Sequence, residues 1–155
     1  MNREHHYSVD AEWLGNRGTG TSAYREYGRT SVVRAEAKHP IEASADRTFH
    51  GDADRWNPEE LLLAALAECH MLSFLHVAVL HGVVVTGYTD HAEGVMVQEG
   101  EGGRFVSATL HPVVEVSSEV TDEEMERLHH EAAEKCFIAN SMNFPVEHEP
   151  SLVRR

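Results

Sequence analysis

What this sequence lacks excludes several roles before anything is read from what it contains. Lys and Arg number 13 against 26 Asp and Glu, a formal charge of −13, and no basic run is longer than the terminal Arg154-Arg155 pair. Phosphate backbones and anionic lipid surfaces attract proteins through clustered positive charge, so neither nucleic acid nor a membrane is an expected partner. The opening Met1-Asn2-Arg3-Glu4-His5-His6 has no apolar core of the kind a secretory signal needs, and its acidic charge argues against a transit peptide. A cytoplasmic location is the expectation. The longest apolar stretch, Leu61 to Leu80, is interrupted by Glu68, Cys69, His70, Ser73 and His76, so it reads as a buried helix and not a membrane span. There is no internal repeat, no low-complexity tract, and only two cysteines, Cys69 and Cys136. In a reducing compartment such a pair is either two inert core thiols or a redox couple.

What is present describes an ordinary globule. The 155 residues are 41% apolar and 25% charged, which suits one domain over residues 1–155 with a buried core. In the first third, Tyr7 to Leu14, Ser22 to Tyr27 and Ser31 to Ala37 read as strands of an antiparallel meander. The glycine-rich Gly15 to Gly20 lies between the first two as a turn. That segment lacks the Lys-Ser/Thr ending of a phosphate loop and leads into strand residues, so it is taken as a hairpin turn. From Ala43 to Trp56 the chain is polar and irregular.

Asn57-Pro58-Glu59-Glu60 then opens the clearest helix. Asn57 can cap free amides, Pro58 suits the first helical position, and Glu59 and Glu60 favour the positive end of the helix dipole. The helix is predicted to run to about His81, where Gly82 stops it. Its apolar residues occupy nearly every side, the pattern of a helix surrounded by protein, which implies an intertwined oligomer. Two further strands, Val83 to Val97 and Phe105 to Ser117, flank a hairpin loop at Gln98 to Gly103. A second helix starts at Thr121-Asp122-Glu123-Glu124, which has capping-box spacing, and Met125, Leu128, Ala132 and Cys136 share its inward face. Asn140 to Asn143 reads as a loop and Phe144 to Val153 as a short edge strand.

Both cysteines therefore sit in helical segments on faces that look inward. For Cys136 the role of a small hydrophobe suffices; it fits Cys69 less easily, because Glu68, His70 and His76 surround it. From the residues alone, inert core thiols come first and a redox pair second.

Asn57-Pro58-Glu59-Glu60-Leu61, Ala64-Ala65 and Ala67-Glu68-Cys69, followed by Cys136-Phe137-Ile138-Ala139-Asn140-Ser141, resemble the osmotically inducible protein C and organic hydroperoxide resistance (OsmC/Ohr) family. The resemblance covers nearly the whole chain, including the order of elements and the interval between the cysteines. It implies an α+β OsmC-like fold of antiparallel sheets with two central helices, in an intertwined homodimer with active sites at the subunit interface. It implies a thiol-dependent peroxidase without metal or bound cofactor, acting on organic hydroperoxides and regenerated by a dithiol reductant. Carried over residue by residue, Cys69 is the peroxidatic nucleophile and Cys136 the resolving thiol. The family's glutamate falls on Glu59, and its arginine falls best on Arg29, with Arg47 and Arg25 behind it. His70 departs from the hydroperoxide-resistance branch, where an aromatic residue tends to follow the cysteine, and this bears on which peroxide is preferred.

The chemistry explains such a constellation. Attack on an O–O bond needs a thiolate, and a cysteine in apolar surroundings needs a fixed cation to stay ionised. Arginine remains charged at any working pH, and a carboxylate such as Glu59 can hold a guanidinium by two hydrogen bonds. Glu59 and Cys69 are separated by a helical rise of ~15 Å, so either a long arginine bridges them or Glu59 acts from a partner subunit.

The 12 histidines suggest zinc only at first sight, since adjacent His129 and His130 point to different sides of a helix, and His70 and His76 also diverge. Trp13 and Trp56 read as packing aromatics in preference to the lining of a peroxide channel. Two rivals to a peroxidase remain: a non-catalytic binding protein of the same fold, and a hydrolase in which Cys69 attacks an acyl group with a histidine as base.

Overall fold

A computed structural model describes residues 2–154; residues 1 and 155 of the expected single domain lie outside them. The chain divides into two compact units, one up to Leu61 and one from Leu62 onward.

The first unit carries an antiparallel sheet of β1 (Asp10–Trp13), β2 (Ser31–Arg34) and β3 (Ile41–Ala43), in that order. Ala11 pairs with Val33, and Val32 with Glu42. The expected strand at Ser22 to Tyr27 is instead a series of turns. The Arg29 guanidinium donates to the Tyr24 and Tyr27 carbonyls, both at 2.6 Å, and lies over both rings. In a strand, carbonyls three residues apart point to opposite edges, so two that converge on one guanidinium do not belong to a strand. The connection from β1 to β2 is thus one long loop, closed where the Gly28 amide donates to the Gly15 carbonyl at 2.8 Å. A Cβ on Gly15 would sit 1.9 Å from the Gly28 oxygen, so the approach requires glycine there. Trp13 caps this closure by donating its indole N–H to the same Gly28 carbonyl. β3 arises where no strand was read, and the following segment includes a 3-10 turn at Arg47–Phe49.

Helix α1 (Pro58–Leu80) begins as its residues require. Asn57 Oδ1 accepts from the Glu60 amide at 2.8 Å and Glu60 Oε2 accepts from the Asn57 amide, a complete capping box. At the other end Gly82 has φ +69°, and the amides of Gly82 and Val83 donate to the Val79 and Ala78 carbonyls, the paired bonds of a Schellman stop.

In the second unit, the two long strands expected after Gly82 are each broken. Val83 to Val97 holds β4 (Val85–Asp90) and β5 (Glu93–Glu99), and Phe105 to Ser117 lies in β6 (Gly102–Leu110) and β7 (Pro112–Val116). The expected C-terminal edge strand is likewise two strands, β8 (Val146–His148) and β9 (Ser151–Arg154). They form two mixed three-stranded sheets, β4-β7-β9 and β5-β6-β8, in which the last strand of each pairs parallel with its neighbour. The physical cause of the breaks is local. Pro112 and Pro150 lack an amide to continue a ladder, Asp90 Oδ1 captures the His111 amide at 2.8 Å, and the His111 ring is held by Glu93 and Glu149.

Helix α2 (Asp122–Lys135) is capped by Thr121 Oγ1, which accepts from the Glu124 amide. One core cluster joins Phe74 and Val77 of α1 to Val114 and Val116 of β7 and Met125, Leu128 and Ala132 of α2. A second joins Leu66 of α1 to Ala108 and Leu110 of β6, with Ile138 and Phe144 against them. α1 is long and apolar enough to cross a membrane by length and composition alone, with a mean hydropathy of 1.7. In this fold one face is nevertheless buried by protein, while Leu72, Val79 and Leu80 on other faces stay exposed.

Candidate active site

Cys69 sits in the middle of α1, on a face one step away from the buried Leu66, His70 and Phe74 stripe, and is partly buried. Cys136 follows the last residue of α2. It leaves the helix in an extended conformation (φ −77°, ψ 107°) and is completely buried. The inward face expected for Met125, Leu128, Ala132 and Cys136 is present, all four being buried. Beyond Cys136 the chain turns at once into a 3-10 turn, Ala139–Ser141, in place of part of the expected loop; the Ala139 amide donates to Cys136 Sγ at 3.4 Å.

The two thiols are free and lie within hydrogen-bonding reach of each other. Burial pushes the Cys136 thiol up to about 11, the hydrogen bond to Cys69 adds to this, and the Ala139 amide opposes it. Cys136 is therefore protonated at neutral pH. Cys69 also lines a cavity of about 740 Å³ whose wall is mostly apolar: Ala65, Leu72, Phe137 and Ile138 surround it, with Glu68, Ser73, His76 and Lys135 as the polar lining. One sulfur is thus reachable by a small apolar molecule and the other is sealed behind it.

Arg29 and Glu59 lie in the first unit. Arg29 is held by carbonyls and tyrosine rings as described. Glu59 Oε2 is buried without a hydrogen-bond partner, an uncommon state for a carboxylate oxygen. Arg47 starts the exposed 3-10 turn and Arg25 lies in the exposed turns before Gly28.

A second cluster escaped the reading of the sequence. His70 Nε2 of α1 and His129 Nδ1 of α2 share a buried hydrogen bond of 3.0 Å, with their rings stacked. The His148 ring of β8 lies 4.2 Å from that of His70, and Phe74 stacks on His129 at 4.1 Å. His70 Nδ1, His129 Nε2 and His148 Nε2 have no hydrogen-bond partner. Burial, then the neighbouring His148 and His129, pushes His70 down to about 3; burial, then His148, pushes His129 down to about 4. Both are neutral at pH 7. The signal was available: His129 falls between Leu128 and Ala132 on the apolar face of α2, a position where a polar ring needs a buried partner. His130, one step on, is exposed. Among the described residues no group of three or more His, Cys, Asp or Glu side chains is arranged to hold a metal ion.

A family model described as OsmC-like protein matches residues 51–151. An OsmC-like protein of unknown function from Vibrio cholerae is 30% identical, covering 95% of this chain and 99% of its own, with a TM-score of 0.85. An organic hydroperoxide resistance protein OsmC from Legionella pneumophila is 20% identical over 96% of this chain and 98% of its own, with a TM-score of 0.70. Another organic hydroperoxide resistance protein, from Elizabethkingia anophelis, is 20% identical over 99% of this chain and 100% of its own, also with a TM-score of 0.70. No curated protein matches the sequence.

Proposed function

Since the chain belongs to the OsmC-like protein family, we propose that it is a thiol-dependent peroxidase that reduces organic hydroperoxides through Cys69 and Cys136. The observation that carries this reading is the contact between two sulfurs remote in sequence, one bordering an apolar cavity and the other buried and protonated. In the first step the Cys69 thiolate attacks the outer peroxide oxygen. An S–O bond forms, the O–O bond breaks, and the alkoxide leaves as an alcohol once protonated. The resulting sulfenic acid is attacked by the Cys136 sulfur, which gives up its proton; the S–O bond breaks and water departs, leaving a disulfide. A dithiol reductant then exchanges with that disulfide and restores both thiols.

Cys136 has the features such a resolving thiol needs. Its protonated state keeps it from competing for peroxide, and its place against Cys69 lets it react before a second peroxide drives the sulfenic acid to irreversible acids. Arg29 is proposed as the cation that holds Cys69 ionised and Glu59 as the carboxylate that orients it, roles carried over from the family resemblance. The unpartnered Glu59 oxygen supports a cationic partner for it. We further propose a cytoplasmic homodimer that buries the exposed Leu72, Val79, Leu80 and Phe137.

Titration with an alkyl hydroperoxide tests the activity. One equivalent should consume both thiols of each chain and form a disulfide between Cys69 and Cys136 within one chain. Slow oxidation, or disulfides only between chains, would overturn the proposal. Sedimentation that gives a monomer at micromolar concentration would remove the dimer.

A further inference from the structure

The histidine pair lies outside the thiol chemistry, yet it touches the same two helices. His70 is the residue after Cys69, and His129 precedes Cys136 on the inward face of α2. α1 and α2 thus meet at two places: the hydrogen bond between His70 and His129, and the contact between Cys69 and Cys136. Along α1 these places are one residue apart. Along α2 they are two turns apart, about 10 Å. Helix α2 therefore carries Cys136 about 10 Å beyond its histidine contact with α1, at the end of a lever whose fulcrum is His129.

A lever of that length is sensitive. Turning α2 by about 10° about His129 would move Cys136 by about 2 Å, while a disulfide tolerates Cα separations only between about 4.4 and 6.8 Å. Apolar contacts of Phe74, Leu128 and Ala132 hold α2 down but are not directional. The other polar tie between the α1 end and α2, His81 to Glu131, is exposed and shares Glu131 with Lys135. The buried nitrogen-to-nitrogen bond is the directional contact, and in a low-dielectric interior it is worth more than its exposed counterpart.

We propose that His70 and His129 are positioning residues for the resolving step: their hydrogen bond fixes the crossing of α1 and α2 and so keeps Cys136 within bonding range of Cys69. This rests on the reading of those cysteines as a peroxidatic and resolving pair. The bond needs one donor and one acceptor ring, so it survives while at least one of the two imidazoles is neutral and is lost when both are charged. The groups that face the pair are His148 from β8, Tyr88 and Asp90 from β4, and Glu126 and His130 from α2, which border His148 and His129. Three more imidazole or phenol groups and two carboxylates therefore share the field in which the pair titrates.

The test compares ring-preserving with bond-preserving variants in the full chain. His129→Phe keeps the stack on Phe74 and loses the bond; His129→Asn places an amide where Nδ1 stood, and His70→Gln places one where Nε2 stood. The readout is the equilibrium between the Cys69–Cys136 disulfide and a glutathione redox buffer, which reports the effective concentration of one thiol at the other without any peroxide. Folding is followed by circular dichroism. His129→Phe should lower the effective concentration at least about tenfold, and H70Q/H129N should stay within about threefold of wild type. A wild-type value for folded His129→Phe would overturn the proposal. If His129→Phe does not fold, the amide pair decides alone at pH 7: folded H70Q/H129N should stay within about threefold of wild type, and a loss of about tenfold or more would overturn the proposal. A dimedone adduct on Cys69 after one equivalent of alkyl hydroperoxide separates the two readings. Its absence in Cys136→Ser, where no resolving thiol consumes the sulfenic acid, sinks the peroxidase and leaves the wild-type redox-buffer result to judge the lever.

Discussion

Cys69 and Cys136 are the same side chain placed in opposite surroundings. Cys69 lies mid-helix beside an apolar cavity, with Glu68, His76 and Lys135 along its polar lining. Cys136 terminates a helix, is sealed from solvent, and has its thiol pushed up to about 11. A sulfur that must meet a substrate needs access; one that must react only with its neighbour needs the reverse. Placing them on two helices that cross lets one contact serve both needs.

The largest effects should come from exchanging the sulfurs one at a time. Cys69→Ser should reduce peroxide turnover by at least about 10³-fold, because a hydroxyl is a far weaker nucleophile than a thiolate. Cys136→Ser should instead consume one equivalent of hydroperoxide and then stop cycling with a dithiol, as followed by peroxide consumption and dimedone trapping at Cys69. Sustained turnover by Cys136→Ser would break the comparison and favour a nucleophile that works alone, as in an acyl hydrolase.

Removing the cation comes next. Arg29→Ala should slow the reaction of Cys69 with hydroperoxide by about 10²-fold, the size of a lost electrostatic contact in an active site, while Arg25→Ala and Arg47→Ala stay within about threefold. Stopped-flow measurement of all three assigns the arginine, and a large effect confined to Arg47→Ala would move the role to that residue.

Acid should act on the histidines. His70 and His129 are held neutral in the fold, down to about 3 and about 4, whereas in the unfolded chain they take up protons near their ordinary value of 6.5. The unfolded state therefore binds more protons below pH 6.5, and stability falls as pH drops through that value until the folded rings titrate. Between pH 7 and pH 5 linkage predicts about 2 kcal/mol per buried histidine, about 4 kcal/mol for the two, so the melting temperature should fall by roughly 8–16 °C. H70Q/H129N should lose most of that slope in a calorimetric pH series. The smallest effect is expected at the cavity: Phe137→Ala should raise KM for a bulky aryl hydroperoxide by about 3–10-fold and leave hydrogen peroxide kinetics unchanged.

Much of this was legible in advance, for identifiable reasons. Both helices carry their own start and stop chemistry, Asn57 with Glu60, Thr121 and Gly82, so they could be read from neighbours in sequence. The inward face of Cys136 followed from helical spacing alone. The sheets were harder to read. Nothing local says that Val83 to Val97 must break, because the break depends on Asp90 meeting the amide of His111 and on Pro112 and Pro150 standing beside it. Ser22 to Tyr27 has strand-forming residues whose carbonyls are claimed by the later Arg29.

The sequence by itself determined where α1 and α2 begin, the apolar inward face of α2, and that two cysteines are the only thiols available. Those properties depend on contacts spanning a turn or less. Which groups meet between the two helices was decided by the tertiary structure alone: Cys136 near Cys69, His129 against His70, and a cavity that Cys69 lines and Cys136 does not. The physical reason is that those groups stand far apart along the chain, and their separation in space is set by the packing of α1 and α2 on one apolar core.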